Sequence, residues 1–241
     1  MSWQQKALDR FYDRSRGWVD GTVEFHRMCE GALPQGGTIL EIGAGPSNSS
    51  SDFFATRGAL TGLDIDPEVR DNRALTRSEL FDGSRFPFED ASFDACVSNY
   101  VVEHVPDPVL HLQEVRRVLR PGGVYAFRTP NRFHYVGLVS SMTPHWFHAL
   151  VANRLRGLPP DAHDPYPTVY AMNSQGAVRK LARATRLDVD VLKMIEKEPS
   201  YGMVSPLVFY PLLAYERLVN ASELFAGWRA NILAVLRKPR A

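Results

Sequence analysis

Apolar residues follow two rhythms along the 241-residue chain. Short runs read as buried strands: Thr38–Ile42, Ala59–Leu63, Phe93–Ser98, Val124–Thr129 and Asn231–Lys238, with Leu187–Ile195 alternating as a strand. Between them, apolar positions recur at helical spacing. Trp3, Ala7, Leu8, Phe11 and Tyr12 form one stripe, and Val23, Phe25 and Met28 begin a second, broken near Gly17 and Gly21. Val109, Leu112, Val115, Val118 and Leu119 form a third, and Val178, Leu181, Ala182 and Thr185 a fourth. The polar punctuation agrees. Pro34-Gln35-Gly36-Gly37 is a turn into the first strand, Asn48 to Asp52 caps a helix running to Thr56, and Asp66-Pro67 starts another. Asp107 and Pro108 open the third stripe, Pro121-Gly122-Gly123 stops it, and Asn173-Ser174 caps the next. Strands alternating with helices predict an α/β sheet covered on both faces. Residues 200–228 read as an apolar, mostly buried helical insertion.

The chemistry gathers where the first strand ends, at Glu41-Ile42-Gly43-Ala44-Gly45-Pro46-Ser47. Two glycines leave the backbone free to turn tightly and let a ligand approach it. Asp64 follows Gly45 by nineteen residues, at the tip of the second strand, where a Rossmann-type site takes hold of a ribose. A dinucleotide fingerprint requires a third glycine where this chain has Asn48. A nicotinamide-dependent oxidoreductase is therefore the disfavoured rival. A tight turn that binds nothing is the bland one.

Glu41, Gly43 and Gly45 resemble the E/D-x-G-x-G-x-G loop of the class I methyltransferases that use S-adenosylmethionine, with Ser47 at the third glycine. Leu80 to Asp94 resembles that family's small-molecule branch, with Asp82 five residues before Pro87. Glu103-His104-Val105-Pro106-Asp107-Pro108, running on to Pro121-Gly122-Gly123, resembles its next block. The resemblance covers roughly residues 38–129. It implies a Rossmann-like, seven-stranded, mostly parallel sheet with helical and aromatic cap insertions, and an antiparallel edge from the last strands. It implies S-adenosylmethionine held by Glu41, Gly43, Ala44 and Gly45. Asp64 would accept both ribose hydroxyls, Ile65 would lie on the adenine, and Asp82 would take the adenine amino group near the Gly83 N–H. Asp66 competes for the ribose but reads as a cap. Asn99, at the end of strand four, would hold the amino-acid end.

On the acceptor side, His104 is either a general base for a hydroxyl or a loop-fixing residue. The N-terminal helices lie over the cofactor mouth in this family, so Tyr12 either approaches the ligand or packs. Residues 130–172 are rich in rings. His134, Tyr135, His145 and Trp146 are candidates for an acceptor pocket or lid, against plain packing on the sheet. The expected organisation is one methyltransferase domain over 1–241: cap helices in 1–37, the cofactor core in 38–129, and insertions in 130–172 and 196–229.

Charge narrows the acceptor. Lys and Arg number 28 against 27 Asp and Glu, a net +1, so no nucleic-acid partner is expected. Asn99-Tyr100-Val101-Val102 replaces the Asn-Pro-Pro-Tyr motif of enzymes acting on bases and amino groups. The two cysteines, Cys29 and Cys96, read as reduced core thiols. The N-terminus lacks a signal-peptide core, Met203–Tyr215 is too short to span a bilayer, and no metal-ligand spacing occurs. The expectation is a cytoplasmic enzyme methylating a small molecule, on oxygen. A lipophilic or glycan-linked acceptor at a membrane surface, or transfer to nitrogen or carbon, is the variation. A cofactor-binding protein without turnover is the non-enzymatic rival. Residues 200–228 would cover the pocket, form a homodimer face or touch a membrane.

Overall fold

A computed structural model describes residues 2–136 and 167–240. Six α-helices and seven strands occur among them: α1 Trp3–Phe11, α2 Gly21–Ala32, β1 Gly37–Ile42, α3 Ser49–Ala55, β2 Gly58–Asp64, β3 Arg77–Leu80, β4 Phe93–Asn99, α4 Pro108–Val118, β5 Leu119–Pro130, α5 Gln175–Ala184, β6 Asp188–Ile195, α6 Pro206–Asn220 and β7 Asn231–Arg237. One sheet holds all the strands in the order β3-β2-β1-β4-β5-β7-β6. The pairs β3–β2, β2–β1, β1–β4 and β4–β5 are parallel. β7 runs against β5: Lys238 N donates to Gly123 O at one end and Asn131 N to Ala230 O at the other. This is the seven-stranded, mostly parallel α/β sheet with the antiparallel edge that the sequence implied.

The caps are local chemistry. Ser2 accepts from Gln5 N, Asn48 from Ser50 N and Ser51 N, Asp107 from Val109 N and Leu110 N, and Ser174 from Ala177 N. Three expectations are corrected. Pro121-Gly122-Gly123 does not end α4, which stops at Val118; β5 already begins at Leu119 and carries those residues. Asp66-Pro67 opens only a short 3-10 turn over Pro67–Asp71, because Asn72 at its end is in extended conformation. Asn173 does not cap α5; it is buried and donates to Thr129 Oγ1 and Pro130 O.

The chain divides into two compact units. Phe25–Pro130, Thr168–Lys193 and Ile232–Ala241 form the sheet unit. Its interior is aliphatic and aromatic: Ile39, Leu40, Leu60, Leu63, Leu112, Phe127 and Leu233 are buried, as are the free thiols of Cys29 and Cys96. Arg117 of α4 ties the loop before β4 to the helix. It donates to Phe86 O and Phe88 O and pairs with Asp90 and Glu114, while Glu114 accepts from Phe86 N. Met1–Glu24, Asn131–Pro167 and Met194–Asn231 form the second unit. Ala7, Tyr12, Phe209 and Leu213 make its core, with Trp3, Leu8, Phe11, Trp18 and Met203 packed around them. The apolar insertion is only half buried: Phe209, Leu213, Val219 and Ala226 are inside, whereas Leu207 and Leu224 are 88% and 84% exposed. No described helix is long and apolar enough to cross a membrane.

Candidate functional site

β1 delivers the chain to the C-terminal edge of the parallel strands, where open α/β sheets bind ligands. There the backbone turns through Gly43 and Gly45, at φ +69° and +56°. A Cβ on Gly43 would collide with Val101 Cγ2, so position 43 admits no side chain on two counts. Gly43 N donates to Leu63 O (2.7 Å) and Gly45 N to Asp64 Oδ2 (2.8 Å), locking the turn onto the end of β2. Asp64 Oδ1 accepts from Asp66 N at 3.0 Å. Asp64 is 9% exposed and each of its oxygens, holding one N–H, keeps acceptor capacity for a ligand. Ile65 beside it is half exposed. Asp66 accepts from Glu68 N, the cap expected of it.

Asn48, the residue in the missing glycine's place, proves structural. Its Oδ1 takes the N–H groups of Ser50 and Ser51, and its Nδ2 donates to Ala44 O, Pro46 O and Ser51 Oγ. Asn72 closes the other side, donating to Ser51 Oγ (2.9 Å) and Gly45 O (3.2 Å). In the sequence, Ser51 reads only as part of the capping run and Asn72 is not singled out; its only signal is a polar residue in an otherwise ordinary turn. Beneath the turn lies Glu41, 3% exposed. The Ser51 hydroxyl bonds its carboxyl, but Oε2 has no partner. Burial pushes this acid up to about 8, against the pull of Ser51 and with a push from the Asp64 carboxylate.

At the end of β4, Asn99 Nδ2 donates to Ser50 Oγ (3.2 Å) and its Oδ1 accepts from Arg128 Nε (2.9 Å), so the amide is oriented from both ends. The Arg128 guanidinium lies 4.2 Å from the Tyr100 ring centroid. Tyr100 is held at φ +59°, a conformation that costs a non-glycine residue on the order of 1 kcal/mol and clusters at functional edges. Asp82 lies exposed after β3, its carboxylate held below the ordinary range by the Ser84 hydroxyl and N–H. Gly83 follows at φ +86° with nothing near its missing Cβ. His104 is half buried, its N–H on Val101 O. Glu103 next to it is buried, accepts from Thr129 Oγ1 (2.9 Å) and is pushed up by burial.

Glu41, Gly43, Ala44, Gly45, Asp64, Ile65, Asp82, Gly83, Asn99 and His104 all fall in the sheet unit. Tyr12, His134 and Tyr135 fall in the other. Tyr12 is buried in that unit's core and its hydroxyl donates to Glu216 Oε2 at 3.3 Å. His134 is buried against Tyr135 and Tyr215, with Nε2 3.3 Å from Glu196 Oε2 but off the line of a hydrogen bond. His145 and Trp146 lie outside the described residues.

The family described as "Methyltransferase domain" (Methyltransf_11) matches residues 40–127. An uncharacterized methyltransferase of Mycolicibacterium vanbaalenii is 37% identical over 131 residues, 50% of this chain and 50% of that protein. A malonyl-[acyl-carrier protein] O-methyltransferase of Erwinia billingiae is 37% identical over 135 residues, 52% of this chain and 54% of that protein. The match thus spans about half the length of these curated relatives. A chain from the complex of the Haloferax volcanii Trm112 methyltransferase activator with a methyltransferase superposes with a TM-score of 0.61 at 20% identity, covering 98% of this chain and 93% of that one. The matched residues are the stretch that builds β1 to β5 and the glycine turn, so residues 40–127 are similar to a methyltransferase domain, and the sheet has the Rossmann-like fold of solved methyltransferase structures.

Proposed function

We propose that the protein transfers a methyl group from S-adenosylmethionine to a small-molecule acceptor, on oxygen. One observation carries the cofactor side: a glycine turn locked to Asp64 above a buried Glu41 whose Oε2 lacks a partner. The residues fit this nucleoside better than a dinucleotide. A diphosphate needs free N–H groups at the helix N-terminus, but Asn48 already occupies those of Ser50 and Ser51. The cofactor would supply an electrophilic methyl on a sulfonium. Asp64 would bind the ribose, Ile65 and Asp82 the adenine with Gly83, and Asn99 the amino-acid end.

In-line displacement at a sulfonium is accelerated mainly by positioning, and a hydroxyl acceptor gains further from a base. His104 is the proposed base. Tyr12, His134, Tyr135, His145 and Trp146 are the proposed acceptor-side residues. Oxygen is favoured by the absence of the Asn-Pro-Pro-Tyr motif and by the O-methyltransferase name of the Erwinia billingiae relative.

Equilibrium titration with S-adenosylhomocysteine and with NAD tests the cofactor. Micromolar affinity for the first alone is expected; the reverse overturns the reading. Labelled methyl transfer across hydroxyl, carboxyl and amine acceptors tests the atom, and product on amines alone would reject oxygen. With an acceptor in hand, His104→Ala should lower turnover about 10²-fold and leave cofactor affinity unchanged. A wild-type rate would make His104 a loop residue.

A further inference from the structure

The unpartnered oxygen of Glu41 asks more of the site than contact. Glu41 stands on β1 between Gly62 of β2 and Val97 of β4, neither of which offers a side-chain donor. From α3 comes Ser51. Its hydroxyl oxygen already accepts from the Asn48 and Asn72 amides, each at 2.9 Å, which leaves its single proton for Glu41. One carboxyl oxygen is thereby served and Oε2 is left buried and bare. The Asp64 carboxylate, of like sign, acts on Glu41. A buried carboxylate without a cation, beside a second carboxylate, is the costlier protonation state; the neutral acid is the cheaper one. A bound cofactor with a cationic amino-acid end reverses that preference.

Resting on the cofactor reading above, we propose that Glu41 stands as a neutral acid in the empty protein and loses its proton to solvent when the cofactor's cation arrives, so that cofactor capture releases about one proton. The O–H bond of Glu41 breaks, the electron pair stays on the carboxylate and the proton passes to buffer. Binding then tightens with rising pH, up to tenfold per unit, while the acid is still protonated in the free protein. It levels off once Glu41 is ionised without help, near pH 8.

Isothermal titration with S-adenosylhomocysteine, in buffers of different ionisation enthalpy, measures the protons released. S-adenosylhomocysteine carries the ammonium without the sulfonium, and adenosine carries neither. The expected result at pH 7 is close to one proton released per S-adenosylhomocysteine and none per adenosine, with release fading above pH 8. Glu41→Gln should abolish the release and flatten the affinity between pH 6 and 8. Wild-type binding without proton release overturns the inference, as does a release that persists in a folded Glu41→Gln protein. No binding of S-adenosylhomocysteine at any pH overturns the cofactor reading instead. The wild-type measurement alone decides, should the variant fail to fold.

Discussion

Two buried polar clusters in the sheet unit stand in contrast. Behind β4 and β5, His111 Nε2 lies 3.0 Å from the Tyr125 hydroxyl, which lies 2.7 Å from Ser98 Oγ. All three residues are buried, and none of them carries a buried side-chain N or O without a partner. Burial pushes His111 down to about 4, so it stays neutral at ordinary pH. Under the glycine turn, Glu41, Ser51 and Asn72 are equally buried and are joined by the exposed Asn48, but this network ends on a bare oxygen. The closed cluster has all it needs from the fold and is structural. The open one lacks a partner from the fold for its last oxygen.

The sharpest way to break the open cluster is to fill its turn. Gly43→Ala places a methyl against Val101 at a left-handed backbone angle. A loss of about 2–3 kcal/mol of stability is expected, together with a more than 10²-fold loss of S-adenosylhomocysteine affinity. Thermal melting and titration check both, and adding Val101→Ala should restore part of the stability. Unchanged binding would show that the turn does not meet the ligand.

The closed cluster should respond only in stability, and in acid. His111 titrates near 4 when folded and near 6.5 when unfolded. Between those values the unfolded chain binds the extra proton, so stability is full above pH 6.5 and declines as pH falls toward 4, by up to about 3 kcal/mol. Urea midpoints at pH 7.5, 6 and 5 should show this limb, and His111→Gln should remove it without changing cofactor affinity. An unaltered limb would assign it to other groups.

Asp64→Ala removes a charge-assisted contact and frees the Gly45 N–H. Affinity for S-adenosylhomocysteine should drop between about 10- and 100-fold, the equivalent of roughly 1.5–3 kcal/mol. Equal affinity in a folded variant would count against the ribose assignment.

The stability effect at Glu41 opposes that of His111 in sign. The unfolded acid ionises near 4.5 and the folded one near 8, so the native protein loses stability as pH rises between those values. Glu41→Gln should therefore exceed wild-type stability at pH 8, by up to about 4 kcal/mol. A strongly destabilised variant would mean that the oxygen is satisfied in the empty protein and that the two clusters do not differ as argued.

Legibility in the sequence followed range. β1, the glycine turn, Asp64, the Asn48 cap and the Asp107-Pro108 helix start were readable because each depends on residues within a few positions of one another. β3 was not. Arg77–Leu80 is a partly exposed edge strand with no apolar period, its Arg77 and Glu79 paired to each other. Leu119 reads as the last residue of a helical stripe, yet it pairs with Phe93 and starts a strand, since its fate is set by β4 rather than by its own neighbours.

The same division runs through the site. A strand that ends in glycines and an acid about twenty residues on are properties of the chain itself, because backbone freedom and apolar periodicity act locally. Those features determined the fold class and the cofactor class. Which polar groups are satisfied and which are left bare was decided only when Ser51, Asn72, Asp64 and Glu41 were packed together, since burial and hydrogen bonding between distant residues have no signature in spacing. Tertiary structure alone turned a glutamate in a motif into an acid waiting for a cation.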